Sequence, residues 1–320
     1  MILVSAIVSV VLFLAGASIL IYSVEELIEN ISKAAIMTGV SSFFLAVVFV
    51  GMDFENWGFG IASVVRGLPG IAIGSAFGSA VFLVGVAVAV GGFVTPFERK
   101  VNGDYLFLML ISPFLLLLFL WDGSLSRADG IILLALFAGI IYYLYREERK
   151  GRETFRDEEA EEAAEEIEED EHGKWYFLGL SGLFVIGIVV GSEMAVHGAE
   201  DIVSLFGLEE TVFGMTFVGL VMALEEVLLV VEPVRKGREN IATGNIIGSL
   251  IFFATGNIGL IASTRGFSVA PSVLSFYWPF LFASTSLTAI FLYGGKINRG
   301  EASILGTLYL LYWILSYTIV

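Results

Sequence analysis

Long apolar stretches separated by short polar interruptions run through the chain from end to end. A membrane-spanning helix needs about 20 mostly apolar residues to cross roughly 30 Å of hydrocarbon, and the sequence holds a series of stretches of about that length. We therefore expect an all-α polytopic membrane protein with ten transmembrane helices. The predicted helices are Ile2–Ser23, Ala35–Val64, Ile71–Val94, Tyr105–Trp121, Gly130–Tyr145, Trp175–Val196, Val212–Val231, Ile241–Ile261, Val273–Tyr293 and Ala302–Val320.

The composition agrees with this pattern and excludes a soluble enzyme. Of the 320 residues, 57% are apolar and 16% are charged, whereas a soluble domain is about one quarter charged. The chain has no cysteine and two histidines, which excludes disulfides, thiolate metal sites and histidine-rich metal sites. We expect a protein that is embedded in the lipid bilayer, with no nucleic-acid partner and no cofactor.

The basic residues predict the orientation of the helices, because Lys and Arg concentrate in cytoplasmic loops. Suppose that the long polar loop after the fifth helix is cytoplasmic and that the chain alternates. The outside loops then hold Arg66, Arg127 and Arg265, and the inside loops hold the other 14 of the 17 basic residues. Both termini are predicted to lie outside. The compact core with one short loop is typical of a prokaryotic cell-membrane protein.

That polar loop divides the chain into two halves. We predict a first five-helix repeat over residues 1–146, an acidic cytoplasmic linker over 147–174 and a second five-helix repeat over 175–320. Asp157–Glu171 holds eleven acids and no base, and without it the net charge changes from -16 to -5. Glu and Ala favour helix while the like charges repel. The segment is interpreted as a solvated, partly helical linker, and a cation-concentrating or regulatory role stays open.

The two halves are related in sequence. When the chain is shifted by 170 residues, Phe43–Val90 overlays Phe213–Leu260 without a gap, and a mid-span Glu and a Gly-x-x-x-Gly-Ser run coincide. Because five helices per half is an odd number, the second half must enter the membrane from the opposite side. The pattern predicts two inverted five-helix repeats. Many secondary transporters have this architecture, with the substrate site near the midplane where the repeats meet.

The matched acids are Glu55 and Glu225, each in the second helix of its half. An ionisable group in hydrocarbon costs about 2.5–3.5 kcal/mol on insertion scales. The pair is therefore interpreted as functional, with a structural carboxylate between helices as the alternative. Carboxylate oxygens with no His or Cys nearby suit Ca²⁺ or another hard cation. Desolvation and mutual repulsion favour proton uptake by paired carboxylates, so protons are expected to compete with the cation.

Two further acids in the spans break the symmetry. Asp53 aligns with Ala223, and Glu226 aligns with Asn56. On a regular helix each of these acids points to a different face from the nearby paired Glu, Glu226 by about 100°. Each is predicted to line the entry path or to accept a proton, with interhelical hydrogen bonding as the alternative.

A Gly-x-x-x-Gly-Ser run opens the third and eighth helices, with its second glycine 23 residues after the paired Glu in each half. Gly-x-x-x-Gly alone is a close-packing motif, but its recurrence at a fixed distance predicts that the serines approach the carboxylates. Asn245 is predicted to orient a carboxylate or hold a water, and Ser75 is its counterpart. The glycines are Gly74, Gly78, Gly244 and Gly248, and the serines are Ser79 and Ser249.

At these residues the chain resembles the cation/calcium antiporter superfamily, which includes Na⁺/Ca²⁺ and H⁺/Ca²⁺ exchangers. Its members carry a Glu on the second and seventh helices and a Gly-Asn-x-x-Gly-Ser-like start to the third and eighth. Glu55, Glu225 and Gly244–Ser249 match this pattern, and Ser75 stands where Asn is usual. The resemblance implies a ten-helix bundle of two inverted repeats that exports Ca²⁺ by alternating access, driven by an inward cation gradient.

The departures from the family pattern favour protons as the counter-ion. Sodium-coupled members usually carry Thr or Ser and Pro just ahead of the Glu, which this chain lacks. They also tend to carry Asn or Asp four residues after the motif Ser, where this chain has Leu83 and Phe253. Na⁺ needs several oxygen ligands, whereas a proton needs only the carboxylates. We expect an H⁺/Ca²⁺ antiporter with Glu55 and Glu225 as the metal ligands.

Other functions are less consistent with the sequence. The nearest alternative is an Na⁺/Ca²⁺ or other divalent-cation exchanger of the same fold. An intramembrane carboxylate protease needs a closely paired Asp dyad, and only Asp53 lies in a predicted span. A passive cation channel is disfavoured by the two-fold pseudosymmetry and by the lack of a filter-like Gly string.

Overall fold

The computed structural model describes residues 2–49, 51–151 and 172–320, and most of these are helical. The acidic run predicted to be a partly helical linker, Asp157–Glu171, lies outside the described residues. The helices of the first half are α1 (Ile2–Met37), α2 (Ser42–Phe49), α3 (Phe54–Arg66), α4 (Pro69–Phe82), α5 (Val88–Val94), α6 (Gly103–Leu120) and α7 (Arg127–Glu148).

The second half repeats this order of long and interrupted helices. Its helices are α8 (Lys174–Phe206), α9 (Glu210–Phe213), α10 (Gly219–Met222), α11 (Glu226–Arg235), α12 (Glu239–Ile251), α13 (Ile258–Thr264), α14 (Trp278–Gly294) and α15 (Arg299–Thr318). In the part of the chain that the structure describes, four π-helical turns join or precede helices of the two halves: Leu83–Ala87, Gly214–Val218, Phe252–Asn257 and Val273–Tyr277. The two strands are β1 (Ser124–Leu125) and β2 (Phe267–Ser268).

Eight helical segments of the described chain are long and apolar enough to cross a membrane. The other two of the ten predicted helices are also present. One is interrupted and consists of α2 and α3, and the other is α15, with 20 residues. The fold class predicted from the sequence is therefore confirmed.

The predicted boundary between the first two helices was wrong. The first helix does not end at Ser23 but continues to Met37, and the second begins at Ser42 rather than Ala35. The polar residues after Ser23 do not stop the helix, because charged side chains pair along it. Lys33 Nζ lies 2.6 Å from Glu29 Oε1, one turn away, a spacing that supports a helix.

The inverted repeat is visible in the loops at the two ends of the bundle. At one end β1 pairs with β2, so that Leu125 faces Phe267. At the other end Ile297 and Phe97 form the corresponding antiparallel bridge. Phe97 and Phe267 are repeat-related, being 170 positions apart in sequence. The same pair of contacts therefore occurs twice, once at each end, as an inverted repeat requires.

The final helix of each half also begins in the same way. Ser126 and Asp129 form a capping box at the start of α7, and Asn298 and Glu301 form one at the start of α15. In a capping box each side chain accepts a hydrogen bond from the other residue's backbone, which satisfies two free amides at the helix start.

Each half packs its glycine run against the interrupted helix of the other half. A Cβ on Gly78 would lie 2.5 Å from the carbonyl oxygen of Met215 and 2.9 Å from Gly219 Cα. On the opposite side, a Cβ on Gly51 would lie 2.2 Å from the backbone nitrogen of Ser249. Backbone atoms touch at both places, so the two interrupted helices are held in the centre of the bundle, where the two halves meet.

Substitution of Gly51 tests this packing. Its φ of +68° already disfavours a side chain, and the added Cβ would meet backbone atoms, which have no rotamer to change. We expect Gly51→Ala to lower the free energy of unfolding by clearly more than the roughly 1–2 kcal/mol that a left-handed residue alone costs. Thermal unfolding in detergent measures the change.

The matched control is Gly67→Ala at the end of α3. Gly67 has a φ of +84°, and nothing lies within 4 Å of an added Cβ, so it isolates the effect of backbone conformation. Equal destabilisation by Gly51→Ala and Gly67→Ala would contradict the close approach of the two halves at Gly51.

Candidate cation-binding site

The carboxylates predicted to bind the cation lie where the interrupted helices restart. Asp53 is the N-cap of α3 and Glu55 is in its first turn. Glu225, the repeat counterpart of Glu55, is the N-cap of α11. A helix N-terminus carries partial positive charge from its free amides, which stabilises acids placed there. Both halves therefore present anions from a helix start in the interior of the bundle.

Three carboxylates converge at this point. Each of Asp53, Glu55 and Glu225 offers one oxygen, and these oxygens all lie within 4.8 Å of one another. Asp53 and Glu55 are 5% and 1% exposed, and Glu225 is partly buried. Glu55 Oε1 is buried and makes no hydrogen bond to any residue that the structure describes.

The expectation that Asp53 faces away from Glu55 was wrong. It assumed a regular helix through both residues, but α2 ends at Phe49 and α3 begins at Phe54. Asp53 therefore precedes the helix, and residues two apart in an extended or turning backbone are free of the 100° helical spacing. The break turns the Asp53 carboxylate toward the Glu pair.

Asp53 is fixed by a residue that the sequence did not single out. The backbone N–H of Asn56 donates to Asp53 Oδ1 at 3.1 Å, and Asn56 Nδ2 donates to Asp53 Oδ2 at 2.8 Å. Asn56 Nδ2 also lies 3.2 Å from Ser79 Oγ, whose hydroxyl is 3.3 Å from the carbonyl oxygen of Gly219. The signal that would have found Asn56 is its position three residues after an N-cap Asp.

Glu226 lies close enough to Asp53 and Glu225 to interact with them electrostatically, and it is held by a contact within the second half. Asn245 Nδ2 donates to Glu226 Oε2 at 2.6 Å, and both residues are buried. Ser75, the counterpart of Asn245, bonds instead to the carbonyl oxygen of Ala72 in its own helix. Ser249 Oγ is buried and lies near the Glu226 carboxylate. The two halves therefore surround the central carboxylates with different polar groups.

The glycines of the two motifs bring these polar groups close. A Cβ on Gly74 would lie 2.5 Å from the backbone of Gly214. Gly78 contacts the same segment one turn later, and Gly248 lies against Gly51 at the break. The serines Ser79 and Ser249 are the residues that follow these contacts.

Several acids outside the site are paired with bases, in contrast to the central group. Arg66 Nη2 lies 2.6 Å from Glu193 Oε2, and Arg66 Nη1 lies 3.3 Å from Glu200 Oε2. This ion-pair cluster is partly exposed at one end of the bundle, where such pairs contribute little to stability. None of the salt bridges among the described residues involves Asp53, Glu55 or Glu225.

Chemically, the central group is a set of hard oxygen donors in an apolar bundle. Such oxygens are the ligands of hard cations like Ca²⁺ and Mg²⁺. Because the two Glu come from different halves, a cation held by both would bridge the repeats. An integral membrane protein with two inverted repeats and a central carboxylate site belongs to the class of secondary cation transporters.

Comparison with known proteins identifies the family. The model of the family described as sodium/calcium exchanger protein matches residues 8–146 and 176–318. The chain belongs to this family of exchangers, whose members are transporters and not enzymes. The inner membrane protein YrbG of Escherichia coli (strain K12) is 28% identical over 275 residues, covering 81% of this chain and 84% of the relative.

Two kinds of solved exchanger share the fold. A structure of the H⁺/Ca²⁺ exchanger CAX superposes with a TM-score of 0.72 at 18% identity, covering 97% of this chain and 86% of that one. A structure of the sodium-calcium exchanger NCX_Mj superposes with a TM-score of 0.60 at 20% identity, covering 98% of both chains. The fold is thus common to proton-coupled and sodium-coupled exchangers.

Removing the Asn245 amide tests its contact with Glu226. Asn245→Ala leaves a buried carboxylate oxygen without its donor, which costs about 1–3 kcal/mol. We expect thermal unfolding in detergent to show a loss of this size at neutral pH. The control is Ser75→Ala at the repeat-related position, where the hydroxyl bonds only within its own helix. A Ser75→Ala loss as large as that of Asn245→Ala would contradict a specific role for the amide.

Proposed function

We propose that the protein is an antiporter that exchanges Ca²⁺ for protons by alternating access, with Glu55 and Glu225 as the central ligands. The observation that carries the proposal is the convergence of these two carboxylates, one from each half, within 4.8 Å in the interior of the bundle. A divalent cation neutralises the pair, and its removal leaves like charges in an apolar setting. Protons relieve that repulsion, so the site can bind Ca²⁺ and protons in turn.

The apolar residues one turn after the motif serines favour protons over Na⁺ as the counter-ion. Na⁺ binding requires several neutral oxygen ligands in addition to carboxylates. At the positions where sodium-coupled relatives tend to carry Asn or Asp, the side chains of Leu83 and Phe253 are apolar and fully buried. The hydroxyl of Ser75 is used within its own helix. A proton requires none of these ligands.

The inverted repeat supplies the means of alternating access. Glu55 restarts a helix in one half and Glu225 restarts one in the other. A displacement of one half against the other therefore changes access to the ligands while keeping both near the cation. In transporters of this kind such a movement opens the site to one side of the membrane at a time.

We further propose the orientation that the basic residues predict. The linker over residues 147–174 is cytoplasmic, the repeats span 1–146 and 175–320, and both termini face outside, in a prokaryotic cell membrane. Supporting this, Arg66 and Arg265 share one end of the bundle, where Arg265 Nη1 donates to the carbonyl oxygen of Val65 at 3.0 Å. These are two of the three basic residues assigned to the outside.

Flux measurements in proteoliposomes test the counter-ion. We expect an imposed pH gradient to drive ⁴⁵Ca²⁺ uptake in the absence of Na⁺, and Glu55→Gln and Glu225→Gln to abolish it because each removes a central charge. Uptake driven by a Na⁺ gradient and not by pH would contradict proton coupling and favour an Na⁺/Ca²⁺ exchanger of the same fold.

The matched control is Glu232→Gln on the same helix as Glu225. Glu232 is exposed and pairs with Lys236 one turn away, so its charge is not required for cation binding. We expect pH-driven uptake by this variant within about twofold of wild type, since exposed pairs contribute about 1 kcal/mol or less. Loss of uptake in Glu232→Gln as well would remove the evidence for a specific role of Glu55 and Glu225.

A further inference from the structure

Asp53 is the member of the central group that the repeat does not duplicate. Glu55 and Glu225 are repeat-related, but the counterpart of Asp53 is Ala223. Packing symmetry therefore does not account for a third acid at this place. It lies 5% exposed in the interior, where an ionisable group is costly.

The hydrogen bonds of Asp53 fix its carboxylate and still leave it able to bind a cation. Asn56 donates from its backbone to one oxygen and from its side chain to the other, at 3.1 and 2.8 Å. Each carboxylate oxygen has about two lone-pair sites, so each retains one. Asn56 is in turn held by Ser79. The donor that results is rigid, and rigidity is one of the two properties that tune Ca²⁺ affinity in proteins.

The neighbouring Glu55 indicates that a ligand belongs among these oxygens. Glu55 is 1% exposed, yet its Oε1 makes no hydrogen bond to the described chain. Buried polar atoms are satisfied in the great majority of cases. The same residue contributes an oxygen to the three-carboxylate group, so a cation there satisfies Glu55 and contacts Asp53 together.

The third negative charge acts unequally on different cations. At a given distance, the Coulomb attraction to a divalent ion is twice that to a monovalent ion, and ligand charge count is the second property that tunes Ca²⁺ affinity. When no cation is bound, the N-terminus of α3 stabilises the extra negative charge. A third carboxylate therefore raises divalent affinity more than it raises Na⁺ affinity.

We propose that Asp53 is a third carboxylate ligand of the transported divalent cation, held in place by Asn56, and that it sets the preference for divalent ions over Na⁺. The inference rests on the cation site of the proposed function but not on proton coupling. It makes the site asymmetric, with two of its three charges from the first repeat.

Direct cation binding to the full chain in detergent tests this role without any gradient. Asp53→Asn removes the charge and keeps an N-cap, since Asn and Asp cap helices about equally well. We expect the Kd for Ca²⁺ by titration calorimetry to rise by at least about tenfold, a modest fraction of the Coulomb term for a nearby divalent ion. The affinity for Na⁺, measured by competition, should change less.

Two further variants separate charge from structure. Asp53→Ala removes the charge and the cap, so we expect the same rise in Kd as for Asp53→Asn together with lower thermal stability. Asn56→Ala keeps the charge but frees the carboxylate, and a smaller rise in Kd is expected. The control is Glu148→Gln, which removes a buried carboxylate bonded to Tyr105 far along α7 and should leave the Kd unchanged.

The outcomes distinguish this inference from the proposed function. An unchanged Kd in Asp53→Asn, or a change confined to Asp53→Ala, would overturn the third ligand while leaving exchange at Glu55 and Glu225 intact. If Asp53→Asn did not fold, an unchanged Kd in Asn56→Ala would overturn it. Wild-type binding of Mn²⁺ or Sr²⁺ but not Ca²⁺ would overturn the Ca²⁺ assignment. The Kd of Asp53→Asn and of the wild type for that ion would then decide the role of Asp53. No divalent binding at all would overturn both.

Discussion

The structure depends on one electrostatic constraint, the close approach of three carboxylates within 4.8 Å of one another in an apolar bundle, two of them buried. Charges in such a place repel and lack water, so they require compensation that a continuous helix does not provide. The breaks between α2 and α3 and between α10 and α11 supply this compensation, because Asp53, Glu55 and Glu225 all come to lie at helix starts. A break in the backbone is tolerated at membrane depth only where protein or a polar cavity surrounds it, which explains why both breaks are central.

The glycine runs follow from the same constraint. A broken helix leaves backbone groups that must be enclosed, and the partner half encloses them at backbone distance. Gly78 lies against Met215 and Gly219, and Gly51 lies against Ser249. Neither half completes the site alone, since each broken helix packs on the other half's glycines. The architecture thus couples the position of one repeat against the other to the distance between their carboxylates, which is the coupling that alternating access uses.

Much of this could be predicted from sequence, and the limits have physical causes. The ten helices, the inverted repeat and the Glu55–Glu225 pair follow from hydropathy, odd helix number and an internal match. The convergence of Asp53 could not be predicted from periodicity, because it depends on the break that Gly51 begins at a φ of +68°. The end of the first helix was also misplaced, since hydropathy falls after Ser23 while side-chain pairs such as Glu29–Lys33 continue the helix.

The two restarted helices are expected to hold the transported divalent cation between them. An anomalous difference map from crystals soaked in Sr²⁺ or Mn²⁺ tests this most directly. We expect a single strong peak in the interior, within ligand distance of carboxylate oxygens of Glu55 and Glu225 from the two halves, about 2.3–2.6 Å for a Ca²⁺-like ion. A peak confined to other residues, with Glu55 and Glu225 contacting no ion, would contradict it.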